Sequence, residues 1–564
     1  MTRRSPPLEL RLASPAQEAH VERLTNILRS SPFALDLSKL GAGKTFTAAY
    51  TAGHLGMRDV VVVCPVSVKP KWTSMKTAYG VPISRIMSYC ELRSPTFARK
   101  AGLLNHRTVA VPRKCRRDQR TYFLNRSEYE ATPEWVSRVR RGGTLVILDE
   151  IQNLKNKSSQ FWSAKALLAP VVADREEGGR AAPPSKALLM SGTPLDKQEQ
   201  AVNLFRTVGV MRSNELAVYN PGTGLLLQTG MAEIRDYCAR LPGAFAAVPV
   251  RPISVFQMFD KVVKPHLASS MPAPPCTAVI HKYNATYDAN DERQKSLIVR
   301  AIDDLSRACN YDARTRSVDL TREPMGRIAT ALMRVEEAKL PTFVRVADDH
   351  LTNSTFQKVV LGVHYCGSIE VLRRQLARWD PLVMTGSLKA SQRQRVLSEF
   401  QKADTERRLL ICNISVCSAG IDLDDKQGRF RRLVLANPNY ANITLYQFGQ
   451  RFLRADTRSD ATLHYVFLRD NCEEQVLRAL ARKSDVMKIV AGAPQGNTAS
   501  RAHDHDVLYP GEYPAWDEAG TEEKRDRAAM RIQKTWRAIV GDPRHPVCRR
   551  RLMREFEGMD DEFA

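Results

Sequence analysis

The chain has 564 residues, of which 43% are hydrophobic and 26% charged, with 29 glycines and 31 prolines. This composition excludes a wholly disordered chain, a collagen-like chain and a small disulfide-rich domain, and the length favours several domains. Lysine and arginine total 85 against 61 acidic residues, a formal charge of +24. Such an excess favours a polyanionic partner, most often nucleic acid, over a merely solvated basic surface. The 11 cysteines form no CxxC pair, which favours a reducing compartment, and no apolar run is long enough to span a membrane. The charged start MTRRSPPLELRL lacks the apolar stretch of a signal peptide, so we expect an intracellular protein.

Apolar runs alternate with helical patterns in two regions of the chain, which predicts an α/β fold of two similar lobes, each built on a parallel sheet. The runs of the first region are 33–37, 60–64, 145–148 and 187–190, and those of the second are 359–363, 382–385, 409–414, 433–436 and 463–467. The predicted divisions are a first lobe over 1–205 with a basic insertion at 106–141, a largely helical inter-lobe region over 206–345, a second lobe over 346–490, a linker over 491–523 and a basic helical tail over 524–564.

The clearest motif follows the first apolar run, where a strand leads into Gly41, Gly43, Lys44 and Thr45 and then into a helix. Small residues let backbone N–H groups surround a phosphate, and the helix N-terminus adds its positive end. The pattern predicts that Lys44 contacts the β- and γ-phosphates of ATP and that the Thr45 hydroxyl ligates Mg²⁺. Ser38 stands where this motif usually opens with glycine.

Two further strand ends carry side chains suited to the same phosphate site. An apolar strand ends at Asp149 and Glu150. Asp149 is predicted to hold Mg²⁺, and Glu150 is predicted to orient and deprotonate the attacking water. A later strand runs into Ser191 and Thr193. Their hydroxyls are predicted to bond the segment of Asp149 and Glu150 and to report the loss of the γ-phosphate.

The second region supplies a loop of small residues and a helix with two arginines. The segment 414–423, ISVCSAGIDL, places small residues and a carboxylate after a strand. The segment 447–456, QFGQRFLRAD, is predicted to be a helix that presents Arg451 and Arg454 on one face, because they are three residues apart. Guanidinium groups from an opposing lobe can neutralise the charge that develops on the γ-phosphate, so both arginines are predicted to be catalytic. A surface pair of arginines is the alternative interpretation.

In this order the motifs resemble those of a superfamily 2 helicase over about residues 12–490, and the SWI/SNF-type branch fits best. PAQEAHVERL resembles the opening glutamine motif of that branch, VVVCPVSVKPKW its motif Ia and IMSYCEL the nucleic-acid motif that follows. DEIQNLKNKSSQ resembles its Walker B region, and SAGIDL its motif V. The resemblance implies two tandem RecA-like lobes, with ATP and Mg²⁺ in the cleft between them and nucleic acid lying across both.

The resemblance also implies roles for residues outside the phosphate site. Gln17 would select adenine, and Gln447 would be a further nucleotide contact. The residues implied in nucleic-acid contact are Ser67, Lys69, Trp72, Ser88, Tyr89 and Ser415. The residues implied in coupling hydrolysis to the second lobe are Gln152, Ser191, Thr193, Gly420 and Asp422. Trp72 is a candidate for stacking on a base, although a tryptophan that anchors the core of the lobe is the favoured interpretation.

Two positions depart from the pattern of the SWI/SNF-type branch. Gln152 stands where Asp or His usually couples hydrolysis to the second lobe. Motif V reads AGIDL and lacks the paired glycines that are usual in the branch. The second departure favours relatives from large DNA viruses, such as the transcription ATPases that resemble nucleoside triphosphatase I.

Two basic segments lie outside the motifs. The insertion at 106–141 carries ten Lys and Arg against four acids, and it is predicted to lie against nucleic acid. The stretch 524–554 carries eleven Lys and Arg against two acids and resembles tails in giant-virus proteins. It begins like an IQ motif with Ile532 and Gln533 but breaks the pattern at Ala538 and Asp542, which disfavours calmodulin as its partner. A basic amphipathic helix that docks on the protein itself is the alternative interpretation.

The expected function is an ATP-dependent translocase or helicase on nucleic acid, with DNA favoured over RNA, of viral type and acting in transcription or genome handling. A chromatin-remodelling ATPase is the alternative within this class. A non-catalytic promoter-binding subunit that keeps the helicase fold is the alternative from another class, although Lys44, Glu150 and Arg451 argue against it. A viral RNA polymerase or transcription complex is an expected partner, and the expected locations are the virion, the host cytoplasm or the nucleus.

Overall fold

The computed structural model describes residues 11–12, 14–114, 121–173, 182–213, 215–219, 226–227, 229–241, 254–273, 276–286, 289–308, 325–354, 357–402, 407–418 and 420–467. The predicted linker at 491–523 and tail at 524–564 lie outside these residues. Within the described part of the chain, no helix has the length and apolar character needed to cross a membrane.

The first lobe is a parallel sheet with helices on both faces. Its helices are α1 (Pro15–Ser30), α2 (Lys44–His54), α3 (Lys69–Thr77), α4 (Tyr89–Arg93), α5 (Pro95–Lys100), α6 (Pro133–Arg140), α7 (Ser159–Ala173), α8 (Ala201–Thr207), α9 (Thr229–Ala239), α10 (Val255–Met258) and α11 (Lys264–Leu267). Its strands are β1 (Phe33–Asp36), β2 (Asp59–Cys64), β3 (Ile83–Ser88), β4 (Leu104–Lys114), β5 (Thr121–Ala131), β6 (Thr144–Asp149), β7 (Lys186–Met190), β8 (Val218–Tyr219), β9 (Leu226–Leu227) and β10 (Ala268–Ser269).

Six of these strands form the main sheet of the first lobe in the order β10-β1-β7-β6-β2-β3, with all neighbours parallel. The central strands are continuous apolar runs, as in the VVVVC of β2, because helices cover both faces of a parallel sheet. Parallel strands place all their carboxyl ends at one edge. The loops after β1, β7, β6 and β2 therefore meet there, which brings the sequence motifs of the first lobe together.

The predicted basic insertion folds largely as a two-stranded antiparallel hairpin. Strands β4 and β5 pair over eleven residues each, from Leu104 opposite Ala131 to Lys114 opposite Thr121. At about 3.4 Å per residue these strands are long enough to form an extended arm. Near its base the hairpin packs on α7, and Tyr129 donates a hydrogen bond to the carbonyl of Arg93 at 2.9 Å.

The second lobe repeats the architecture of the first. Its strands are β11 (Ile280–Thr286), β12 (Gln357–Val363), β13 (Leu382–Met384), β14 (Leu409–Asn413), β15 (Arg431–Ala436) and β16 (Ala461–Phe467). Its helices are α12 (Glu292–Ala308), α13 (Met325–Asn353), α14 (Cys366–Gln375), α15 (Ala390–Gln401), α16 (Ile414–Cys417) and α17 (Asn442–Gly449). The six strands form one parallel sheet in the order β11-β16-β15-β12-β14-β13. Apolar clusters cover its two faces.

The described residues of the predicted inter-lobe region at 206–345 contribute a strand to each of the two sheets. Its strand β10 extends the first sheet beside β1, and its strand β11 extends the second sheet beside β16. The chain therefore passes from one lobe to the other between Ser269 and Ile280. Both strands join the edge of a sheet formed elsewhere in the sequence, and their short or mixed patterns did not reveal them.

Candidate active site in the cleft between the lobes

The phosphate loop connects β1 to α2 and depends on two glycines. Gly41 and Gly43 have φ angles of +81° and +91°, in the left-handed region that glycine adopts without strain. A Cβ atom on Gly43 would also lie 2.5 Å from Nε2 of Gln17, so a larger residue would clash there. Lys44, the first residue of α2, is buried, and its Nζ donates to the carbonyls of Ser38 and Lys39 at 2.9 and 3.1 Å. The backbone therefore forms a small cradle at a helix N-terminus, which suits a phosphate.

Gln17 lies directly on this loop. The Ser14 side chain caps the N-terminus of α1, which fixes the first turn where Gln17 sits. The Gln17 amide Nε2 then donates to the carbonyl of Ala42 at 3.1 Å. The structure thus brings the residue implied in adenine selection to the phosphate loop, although its contact within the chain is to backbone.

Asp149 and Glu150 end β6 beside the loop. Asp149 Oδ2 accepts a hydrogen bond from Trp72 Nε1 at 2.9 Å, and its backbone carbonyl accepts one from the Tyr89 hydroxyl at 2.8 Å. Burial and the adjacent Glu150 carboxylate raise the pKa of Asp149 well above its usual range, since both disfavour its ionised form. Glu150 has a φ of +61°, a left-handed conformation that is uncommon for a residue with a side chain and clusters at functional sites.

A chain of hydrogen bonds leads from Glu150 to the second lobe. Gln152 donates to Glu150 Oε2 at 2.8 Å, and the Ser191 hydroxyl donates to Gln152 Oε1 at 2.7 Å. Ser191 Oγ also accepts the backbone N–H of Thr193 at 2.9 Å. Gln447 of α17 donates to Thr193 Oγ1 at 3.2 Å. The two ends of the Gln152 amide therefore link the Glu150 carboxylate to the Ser191 hydroxyl.

The second lobe contributes Arg451 to the cleft. Its side chain is buried, and its Nε donates to the carbonyl of Ser418 at 2.8 Å. Burial lowers the pKa of Arg451 to about 10, with the neighbouring Arg454 adding to the effect, and the charge of Glu150 acts in the opposite direction. Arg451 therefore remains a cation at neutral pH and lies within the electrostatic field of the Glu150 carboxylate.

Arg454 does not share a helical face with Arg451, contrary to the prediction. Helix α17 ends at Gly449, Gln450–Phe452 form one 3-10 turn, and the backbone of Leu453 is extended. Arg454 pairs with Asp422 of motif V, with 2.6 Å between Nε and Oδ1. This ion pair makes Arg454 a residue that holds the motif V loop.

The two lobes also touch through motifs Ia and V. Gly420, with a φ of +73°, lies so close to Ser67 that a Cβ atom on the glycine would be 2.8 Å from the Cβ of Ser67 and 2.9 Å from its carbonyl oxygen. Nearby, Leu40 of the phosphate loop packs on Ile443 and Tyr446 of α17. The cleft is therefore closed in this structure.

Three of the residues implied in nucleic-acid contact are buried. Trp72 is fully buried and bonds Asp149, so it cannot stack on a base in this conformation and anchors the core. Ser88 caps α4 through a hydrogen bond from the backbone N–H of Glu91, and Tyr89 points its hydroxyl at Asp149. Sequence patterns did not reveal these inward roles, because they depend on which face of α3 and α4 packs on β6.

The other three residues remain accessible. Ser415 is exposed at the start of α16, and Ser67 is half-buried beneath Gly420. Lys69 is half-buried and pairs with Glu91, with 2.9 Å between Nζ and Oε2. Ser67 lies in the short 3-10 turn that follows β2 of the first lobe, and Ser415 lies in α16, which follows β14 of the second lobe.

Together, two tandem α/β lobes, each built on a parallel six-stranded sheet, bring the sequence motifs to the cleft between them. A protein of Acanthamoeba polyphaga mimivirus described as "putative ATP-dependent RNA helicase" is 23% identical over 490 residues, which cover 83% of this chain and 82% of the relative. This similarity confirms the predicted resemblance to helicases of large DNA viruses. The solved SWI2/SNF2 ATPase core of Sulfolobus solfataricus in complex with double-stranded DNA matches 87% of this chain and 95% of its own, with 12% identity and a TM-score of 0.30. No protein-family model matches the chain.

Proposed function

We propose that this protein is an ATP-dependent nucleic-acid translocase of viral type, with DNA as its expected track and transcription or genome handling as its setting. The observation that carries the proposal is the composition of the cleft. Gln447 of the second lobe donates a hydrogen bond to Thr193 of the first at 3.2 Å. The charges of Glu150 and Arg451, one from each lobe, also act on each other. A hydrolysis site that needs both lobes can convert the loss of a phosphate into movement of one lobe against the other.

The phosphate loop would bind ATP. The Lys44 ammonium would exchange the carbonyls of Ser38 and Lys39 for phosphate oxygens, which carry more negative charge. Thr45 and Asp149 would hold Mg²⁺, which supplies positive charge to the phosphates when bound. These residues fit that ion, since both offer hard oxygen ligands and a cation would offset the cost of ionising the buried Asp149.

Hydrolysis would then rest on residues from both lobes. Glu150, oriented by Gln152, would accept a proton from the attacking water, and Arg451 would offset the charge that develops on the γ-phosphate. Release of that phosphate would alter the contacts of Ser191 and Thr193, and with them the hydrogen bond that Gln447 donates to Thr193. The lobes would separate and advance the protein along its track.

Substitutions of Lys44 and of Glu150 distinguish ATP binding from ATP turnover. Glu150→Gln keeps the phosphate loop and should bind ATP with near-normal affinity, while turnover falls by at least about a hundredfold because the general base is lost. Lys44→Ala should weaken ATP binding itself. Calorimetric titration with ATP and a steady-state phosphate-release assay measure both effects. Near-normal turnover in Glu150→Gln would refute the assignment.

The hairpin of β4 and β5 is proposed to hold nucleic acid by its phosphates. Its insertion carries a strong basic excess, and phosphate contacts give affinity that falls steeply with salt but carries no sequence preference. Changing Arg113, Lys114, Arg116 and Arg117 to serine should flatten the log–log dependence of DNA affinity on salt; the last two lie outside the described residues. A matched control removes four charges from α12, namely Arg293, Lys295, Arg300 and Arg307. An equal slope in both variants would contradict a role for the hairpin.

The basic tail at 524–554, which lies outside the described residues, is proposed to recruit the protein to a viral transcription complex or to DNA. Truncation after Ser500 should leave a folded ATPase with its basal turnover and weaken that recruitment. Pull-down and DNA titration of the truncated protein distinguish the two targets. A truncated protein that no longer folds would show the tail to be structural.

A further inference from the structure

A buried polar cluster lies behind the phosphate loop, away from the cleft. It consists of His20 on α1, Asp36 at the end of β1, Ser38 in the loop and Ser269 on β10, all of them buried. His20 Nε2 lies 3.2 Å from Asp36 Oδ2 and 3.4 Å from Ser38 Oγ. Its other ring nitrogen, Nδ1, lies 2.7 Å from Ser269 Oγ. The imidazole is thus fixed on both sides between α1, β1 and β10.

The cluster continues into the loop through Ser38. The backbone N–H of Ser38 donates to Asp36 Oδ1 at 2.9 Å, and its Oγ accepts the backbone N–H of Met271 at 2.9 Å. The carbonyl of the same residue accepts the Lys44 ammonium at 2.9 Å. Ser38 is the residue that replaces the usual opening glycine, and here all its polar groups are used to hold the loop.

The Asp36 carboxylate is the acidic group that both His20 and the backbone of Ser38 contact. Burial alone would raise its pKa, but the contact with His20 and the positive charge of Lys44 hold the pKa of Asp36 below its ordinary value. A buried carboxylate is tolerated only when it is paired and hydrogen-bonded, so its partners are strongly fixed in place. Because one of its partners is the backbone of Ser38, the pairing with His20 also fixes the start of the loop.

We propose that His20 is a positioning residue for nucleotide binding, which acts through Asp36 and Ser38 to keep the phosphate loop in the shape that receives phosphate. Helix α1 then holds the loop at two points, since Gln17 bonds the carbonyl of Ala42 near the loop's other end. The inference rests on the proposed function, because it assumes that this loop binds ATP.

The test is a double-mutant cycle on affinity for the non-hydrolysable analogue AMP-PNP. His20→Ala and Asp36→Asn are made singly and together in the full chain, and the analogue is titrated calorimetrically with Mg²⁺. Each single variant should raise Kd by about 3- to 10-fold, the range set by one lost hydrogen bond. The double variant should bind no more weakly than the weaker single variant, because both changes break the same link.

Two further variants separate positioning from general stability. Leu24→Ala removes a fully buried side chain from the same helix and none of the hydrogen bonds of the cluster; it should lower Tm and leave Kd within about twofold. Ser38→Ala removes one hydroxyl from the loop and should raise Kd even if the His20 variant does not fold.

Three outcomes would overturn the inference. They are additive effects of His20→Ala and Asp36→Asn on Kd, an unchanged Kd in Ser38→Ala, or a Kd for Leu24→Ala as high as that for His20→Ala. If the unmodified protein binds no AMP-PNP, the proposed function itself fails. If it binds the analogue and the cycle is additive, only the role of His20 is refuted.

Discussion

Gln152 offers the sharpest test of how the cleft communicates between lobes. Its amide bridges the Glu150 carboxylate and the Ser191 hydroxyl, with contacts of 2.8 and 2.7 Å. Gln152→Ala removes a hydrogen bond to a charged group, which is worth about 1.5–3 kcal/mol when buried. The side chain is half-buried, so we expect the lower part of that range, or about a tenfold loss in kcat.

The substitution should lower turnover and coupling and leave nucleotide affinity unchanged, since the hydrogen bonds that the structure describes for Gln152 join it to Glu150 and Ser191. Steady-state ATPase rates with and without nucleic acid give kcat, KM and the stimulation ratio. We expect a lower kcat, a lower stimulation ratio and an unchanged KM. Gln160→Ala, an equal truncation that leaves Glu150 untouched, serves as the control. If Gln152→Ala keeps full stimulation while Glu150→Gln is inactive, the hydrogen-bond chain does not couple the lobes.

Three other changes probe the closed cleft and its charges. Arg451→Ala should lower kcat by about 10³-fold or more with a small effect on ATP affinity, because the charge it meets develops in the transition state; normal hydrolysis would show that the second lobe does not complete the site. Gly420→Ala should reduce nucleic-acid-stimulated turnover about tenfold and keep ATP binding, since its Cβ would clash with Ser67; unchanged stimulation would mean that this contact is not required. Asp149→Asn should abolish turnover and raise the Tm of the metal-free protein at pH 8 more than at pH 4. A carboxyl group with a folded-state pKa above its unfolded value destabilises the fold increasingly as pH rises, so equal Tm gains at both pH values would contradict the raised pKa.

The sequence predicted the motifs of the first lobe well because each motif follows a buried strand. The apolar runs at 60–64, 145–148 and 187–190 correspond to β2, β6 and β7, and parallel topology then gathers their ends at one edge. Local pattern is sufficient for such strands, since both faces are buried and each strand contains an unbroken apolar run.

Features set by tertiary contacts could not be predicted in this way. The spacing of Arg451 and Arg454 fits a helix, yet the ion pair of Arg454 with Asp422 accompanies an extended Leu453. Trp72 could have faced either solvent or core, and its indole contact with Asp149 decides the matter only in the folded lobe. The pairing of His20 with Asp36 was likewise hidden, although a charged residue at the end of an apolar strand is a signal that such a partner exists.

The most direct test of the central claim is the steady-state ATPase rate of the full chain, measured alone and with single-stranded DNA, duplex DNA or RNA, with Lys44→Ala and Glu150→Gln as blanks. A two-lobe translocase should hydrolyse ATP slowly alone and several-fold faster with at least one nucleic acid, with DNA the strongest stimulator, and both variants should be inactive. If RNA stimulated the ATPase most strongly, RNA would replace DNA as the proposed track, and the proposed mechanism would stand. If the unmodified protein hydrolysed ATP no faster than the two variants under any condition, the account would be contradicted. A non-catalytic nucleic-acid-binding subunit would then be favoured.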